Sequence, residues 1–287
     1  MLEERRDPHE LTAFSIVAAA EPVNAVAIYP MFDLQNPSVT LLLSSHRDHP
    51  IRLNSALTSQ LVASYPLVNP ATEAFISPHS LLFTADGSRF LAGSESRLSI
   101  FNLSRPGEGP QSFFRTGRKK RSNFAESYMN ITGILSTLAI DENSGILAAG
   151  TFSRFIGLYD SRGQGDCVGV FCVEGTEADS HIGGSGVTQV IWSSCGRYLY
   201  IAERKSDGAM IYDIRKTGQL LAWLQGRKAV TNQRLGVYLA SSLGAAHQEV
   251  WAGGTDGRLR TWRDPHKAEG AQKAAFEWQG HDGNLRE

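Results

Sequence analysis

The side chains best placed to do chemistry in this sequence are its arginines. Five turn-like phrases, each lying between two apolar runs, carry a basic residue: Arg47, Arg97, Arg154, the adjacent Arg204 and Lys205, and Arg258. Two other polar stretches add Arg118-Lys119-Lys120-Arg121 and the group Arg227, Lys228 and Arg234. A guanidinium is a planar fork of donors that matches a phosphate and stacks on a base. Single-stranded RNA loops are read by such stacking and by edge contacts. Asn232 and Gln233, beside Arg234, carry amides able to read base edges. The same groups have a plainer use. Turn arginines pair with nearby carboxylates, here Asp48, Glu95, Glu203, Asp207 or Asp256, and amide side chains cap loop backbone. Both uses stay open at this point. The Arg118–Arg121 run also fits a nuclear localisation signal.

No catalytic constellation accompanies these residues. The eight histidines are scattered, and none shows metal-ligand spacing such as HExxH. His79 sits in Ser77-Pro78-His79-Ser80, where a structural hydrogen bond is the simpler role. Gly183-Gly184-Ser185-Gly186 lacks the Gly-Lys-Ser/Thr ending and the following helix of a phosphate-binding loop. No serine occupies a GxSxG elbow. The cysteines are Cys167, Cys172 and Cys195, an odd set without a CxxC pair, so neither a disulfide framework nor a zinc site is expected and a reducing compartment is. The expectation is a non-enzymatic protein with no metal, cofactor or small-molecule substrate. With 28 basic and 29 acidic side chains, total charge predicts neither nucleic-acid nor membrane binding, and only a local cluster could do so. No apolar run approaches the ~18 residues of a membrane-spanning helix.

What must position the arginines is a repeat. One phrase recurs: an apolar run, a small-residue pair, a polar turn, and a second apolar run ending in an aromatic. Its copies run from Leu41-Leu42-Leu43-Ser44-Ser45 to Ile51-Arg52-Leu53; from Phe90-Leu91-Ala92-Gly93-Ser94 to Leu98-Ser99-Ile100-Phe101; from Ile146-Leu147-Ala148-Ala149-Gly150 to Ile156-Gly157-Leu158-Tyr159-Asp160; from Tyr198-Leu199-Tyr200-Ile201-Ala202 to Ala209-Met210-Ile211-Tyr212-Asp213; and from Glu249-Val250-Trp251-Ala252-Gly253 to Leu259-Arg260-Thr261-Trp262. The period is roughly 50 residues, somewhat above the ~40–45 of WD40 repeats. Further short strands end in turn signals at Ala85-Asp86-Gly87-Ser88, Asp141-Glu142-Asn143-Ser144-Gly145 and Ser193-Ser194-Cys195-Gly196. Each copy therefore reads as one four-stranded blade, and the chain as an all-β propeller with five recognisable blades over 21–287. Residues 1–20 read as a remnant, the outer strand of a missing blade, and Gln279-Gly280-His281-Asp282-Gly283 reads as the opening of a further repeat. The arc is expected to be truncated at both ends or closed by a partner, because open strand edges are normally avoided. The turns between second and third strands and the loops leading into each blade should open on one face, gathering the basic residues into a partial ring there.

The aromatic that ends four of the five copies resembles the Trp-Asp signature of WD40 proteins. The Trp position holds Phe101, Tyr159, Tyr212 and Trp262, and the Asp follows as Asp160 and Asp213. Three longer stretches resemble one family within that fold. They are Ile76-Ser77-Pro78-His79-Ser80-Leu81-Leu82-Phe83-Thr84-Ala85-Asp86-Gly87-Ser88 with Ser104-Arg105-Pro106-Gly107; Ala202-Glu203-Arg204-Lys205-Ser206-Asp207 running into Tyr212-Asp213-Ile214-Arg215-Lys216-Thr217-Gly218; and Gly226-Arg227-Lys228-Ala229-Val230-Thr231-Asn232-Gln233-Arg234. In that order they are similar to the telomerase Cajal body proteins and their fungal, splicing-associated relatives, from about Glu21 to about Trp262. The resemblance implies a nuclear scaffold, concentrated in Cajal bodies, that binds small non-coding RNA of the Cajal-body or telomerase type and meets ribonucleoprotein proteins. The alternative is a protein-only platform at the splicing machinery.

Overall fold

The repeat folds as it reads. A computed structural model describes residues 12–117, 131–216, 218–241 and 247–280, so the Arg118–Arg121 run and His281–Gly283 lie outside the described residues. The first blade is β1 (Val23–Ile28), β2 (Leu41–His46), β3 (Ile51–Ser55) and β4 (Leu61–Tyr65). The second is β5 (Ser80–Phe83), β6 (Arg89–Ser94), β7 (Arg97–Asn102) and β8 (Ser112–Arg115). The third is β9 (Leu135–Ile140), β10 (Leu147–Thr151), β11 (Phe155–Tyr159) and β12 (Cys167–Cys172), and a short helix α1 (Glu177–Ile182) follows it. The fourth is β13 (Val187–Trp192), β14 (Tyr198–Glu203), β15 (Gly208–Asp213) and β16 (Leu220–Gln225). In the fifth, β17 (Val237–Ser241), β18 (Gln248–Gly253) and β19 (Arg258–Arg263) are joined by β21 (Phe276–Gln279), while the intervening β20 (Gly270–Gln272) pairs in parallel with β16. All other pairings are antiparallel.

Strand sequence explains the stacking of blades. Side chains alternate across a sheet, so Leu98 and Ile100 of β7 face the third blade while Phe101 faces the first. Both faces are buried, which is why the middle strands read as nearly continuous apolar runs. Four apolar clusters result, one at each interface between successive blades. The first strands of blades one to four pack on one another and line the centre of the arc. Between the fourth and fifth blades Gln189 completes this inner wall: its side-chain amide donates to the Val237 carbonyl at 3.1 Å and accepts from the Val237 N–H at 2.7 Å.

The aromatics at the Trp position make the interfaces. Phe101, Tyr159, Tyr212 and Trp262 are all 3% exposed or less. Each meets the outer strand of the preceding blade at one register position. Tyr65 lies 6.2 Å from Phe101, Phe114 lies 5.3 Å from Tyr159 and Phe171 lies 4.7 Å from Tyr212, centroid to centroid. Leu224 shares the apolar cluster of Trp262. Tyr65 adds a hydrogen bond from its hydroxyl to the Leu103 carbonyl at 2.7 Å.

Blade one supplies all four of its own strands, and residues 12–22 contain no strand; Ser15 Oγ instead lies 2.7 Å from Ser59 Oγ, against the β3–β4 turn. Gln279 is the last residue of the fifth blade's outer strand. The outward faces of the two end blades carry exposed apolar side chains. Val26 and Ile28 of β1 are 57% and 64% exposed, and Tyr238, Phe276 and Trp278 of blade five are 68%, 59% and 58% exposed.

Candidate nucleic-acid interface

Hydrogen bonds between turns place the expected loops on one face. The β2–β3 turn donates from Asp48 N to Ser77 Oγ in the loop leading into β5, and Gly133 N, ahead of β9, donates to Ser96 Oγ in the β6–β7 turn. Ser153 Oγ donates to the Thr132 carbonyl, and Lys205 N to the Thr231 carbonyl at 2.8 Å. Thr255 N, in the β18–β19 turn, donates to the Lys228 carbonyl.

At the centre of this face four blades meet around one aromatic ring. Phe152, in the β10–β11 turn, has the Arg204 guanidinium 4.7 Å and the Arg234 guanidinium 5.4 Å from its centroid. The His79 ring meets the same phenyl edge-on at 6.2 Å. Backbone carbonyls hold both guanidiniums in place: Arg204 Nε donates to Ser185 O at 3.1 Å, and Arg234 donates to His79 O from Nη1 and Nη2 at 3.2 and 3.3 Å. Each fork keeps further N–H donors, and among the described residues neither arginine has a carboxylate partner. Desolvation in the crowded cluster and then the nearby Arg204 charge push the Arg234 pKa down, and desolvation followed by the Arg234 charge lowers that of His79. Two like charges that share a ring without a counter-ion form a site that an anion stabilises.

The glycine run 183–186 makes this crowding possible. A side chain at Gly186, whose φ is +144°, would meet the Phe152 carbonyl at 2.9 Å and Arg204 Nε at 3.2 Å. A Cβ at Gly184 would run into the Glu203 carboxylate and Arg154 Nη2. The run is a packing device for the neighbouring charges, not a phosphate cradle.

The remaining basic residues do not form the expected ring. Arg154 is turned inward and 8% exposed. Its Nε and Nη2 donate to the two Glu203 oxygens at 2.8 Å each, and Nη1 and Nη2 donate to Asp179 at 3.2 and 2.6 Å. Burial depresses its pKa, and the hydrogen bonds it donates to the Glu203 and Asp179 carboxylates more than reverse this, holding it above its ordinary value. Arg258 is engaged by Glu277 at 3.2 Å and Gln279 at 3.1 Å. Arg227 is 1% exposed and serves as a brace beneath the 227–236 loop, where Nη2 donates to the carbonyls of Leu235 and Gly236. Its Nε and Nη1 are buried and find no hydrogen-bond partner among the described residues, and burial pulls its pKa down to about 10. Arg97 lies 4.0 Å above the Phe113 ring on the outer part of blade two. Arg47, Lys205, Lys228, Asn232 and Gln233 are exposed on the basic face, where the Gln233 N–H also caps Thr231 Oγ1 at 3.2 Å. Phe152 carried no weight in the sequence reading, although an aromatic inside the polar turn Thr151-Phe152-Ser153-Arg154 was the available signal.

No family model matches the chain. It is 31% identical over 253 residues to a fission yeast protein named guanine nucleotide-binding protein negative regulator 1, covering 85% of this chain and 57% of that one. It is 27% identical over 260 residues to the mouse telomerase Cajal body protein 1, covering 91% of this chain and 44% of the relative. The yeast Vanderwaltozyma polyspora protein SWT21 is 26% identical over 236 residues, 78% of this chain and 52% of that protein. The chain thus spans about half the length of these relatives. Among solved structures the WD40 repeats of RRP9 superpose with a TM-score of 0.60 at 11% identity, covering 91% of this chain and 64% of that one. The fold is that of WD40 repeats, and the similarity to telomerase Cajal body proteins and fungal relatives implied by the sequence phrases is found across most of the chain.

Proposed function

We propose that this WD40-type relative of the telomerase Cajal body proteins is a non-enzymatic nuclear scaffold. It binds small non-coding RNA of the Cajal-body or telomerase type at the centre of its basic face and helps assemble or localise the ribonucleoprotein. The observation that carries the reading is the pair Arg204 and Arg234 on Phe152, held by backbone carbonyls and unmatched by any carboxylate among the described residues. A phosphate would bridge the free N–H groups, an unpaired base would stack on a guanidinium plane, and Asn232 and Gln233 stand exposed beside the site.

The test is fluorescence anisotropy with a labelled single-stranded RNA. Arg204→Glu with Arg234→Glu should weaken binding by at least about tenfold with the melting temperature unchanged, because neither residue is buried. Binding that survives the double reversal overturns the assignment of this site.

The exposed Tyr238, Phe276 and Trp278 favour a second reading, a protein-only platform associated with the splicing machinery. Salt separates the two. Phosphate binding weakens steeply with salt because the counterions it releases gain less free energy at high salt, whereas an apolar interface weakens little.

A further inference from the structure

Blade two carries a second aromatic among arginines, away from the centre of the face. In Ser112-Phe113-Phe114-Arg115 the pleat sends successive side chains to opposite sides. Phe114 turns in to pack on Tyr159, and Phe113 turns out, 55% exposed on the last strand of its blade. On Phe113's side of the sheet lie its cross-strand neighbour Ser99 and the pair Arg97 and Arg115, which stand directly opposite each other. Arg97 Nε donates to Ser99 Oγ at 3.1 Å, which seats its guanidinium 4.0 Å above the Phe113 ring. Like charges facing each other across strands destabilise a sheet, and among the described residues no carboxylate pairs with either arginine. An exposed aromatic outside the core, flanked by two such cations, has the make-up of a platform for an unpaired base and its phosphate.

We infer that Phe113, Arg97 and Arg115 form a second RNA subsite, in which an unpaired nucleobase stacks on Phe113 and the adjoining phosphate lies between the two guanidiniums. The inference rests on the RNA-binding reading above. His79, in the central cluster, leads into β5, and Phe113 stands on β8 of the same blade. Three strand spacings separate β5 from β8, about 15 Å. A dinucleotide fills one subsite, and a longer single strand reaches both.

The experiment is fluorescence anisotropy with a labelled dinucleotide and a labelled single-stranded dodecamer, using the full chain. Phe113→Ala should weaken dodecamer binding by about fivefold or more and leave the circular dichroism spectrum unchanged. Phe113→Trp, which keeps a stacking face, should restore the dodecamer affinity. If Phe113→Ala leaves the dodecamer affinity intact while Arg204→Glu with Arg234→Glu removes it, the second subsite is wrong and the central site stands. If Phe113→Ala spares RNA affinity but loses co-purifying proteins, the platform is a protein-docking surface and the inference also fails. If neither probe binds the unaltered chain, the RNA reading itself falls.

Discussion

At the scale of single residues, burial separates arginines that look alike in the sequence. Arg154 and Arg204 occupy equivalent turns in successive blades, yet one is locked between Glu203 and Asp179 and the other rests on a backbone carbonyl and the Phe152 ring. The difference comes from neighbours. Gly184 leaves room for the Glu203 carboxylate to reach Arg154, and Gly186 leaves room for Arg204 to reach Phe152. Turn position was legible in the sequence, whereas which arginine finds a carboxylate depends on side chains about 25 and 49 positions away in the chain. Arg154→Ala leaves Glu203, 3% exposed, without its partner. Breaking a buried pair in this way costs about 3–5 kcal/mol, so denaturant unfolding should show a loss of that size, while the folded fraction keeps its RNA affinity. A drop in affinity without a drop in stability would instead place Arg154 in the binding face.

At the scale of elements, the apolar runs were legible because both sides of a blade are buried and the core clusters follow their alternation. The outer strands were harder to read. β4, β8 and β21 are short and largely exposed, so they carry little apolar patterning. Charged turns also tie elements together, and these give the fold a pH dependence. Hydrogen bonds from Arg154 hold the Asp179 carboxyl below its usual range, those from Arg260 do the same for Asp256, and those from Thr84 and Ser88 pull Asp86 down to about 2. A carboxylate depressed in the folded state contributes stability that is fully present above its unfolded pKa of ~4 and lost as pH falls through the folded value. The melting temperature should therefore hold between about pH 5 and 7 and fall steadily below about pH 4. A flat profile down to about pH 2.5 would show that these contacts contribute nothing.

At the scale of the molecule, five blades form an arc whose inner interfaces all obey one register. Tyr65, Phe114, Phe171 and Leu224 pair with Ile51, Leu98, Ile156 and Ala209 respectively, and each receives the next blade's third-strand aromatic. In blade five the same register position is Trp278, opposite Leu259, and it is 58% exposed. An apolar face of this kind marks an interaction surface. Sedimentation velocity should therefore show concentration-dependent association of the chain, reduced by Trp278→Asp with Phe276→Asp. Association unchanged by those substitutions would exclude this face.

RNA binding at the centre of the basic face is tested most directly by ultraviolet crosslinking of the tagged protein in its own cells, followed by sequencing of the attached RNA, for the unaltered chain and for Arg204→Glu with Arg234→Glu. The expected result is a narrow set of small nuclear or telomerase-type RNAs that disappears in the double variant. Background-level RNA on the unaltered chain, with ribonucleoprotein proteins still co-purifying, would contradict direct recognition and leave Arg204 and Arg234 as surface residues of a protein-binding propeller.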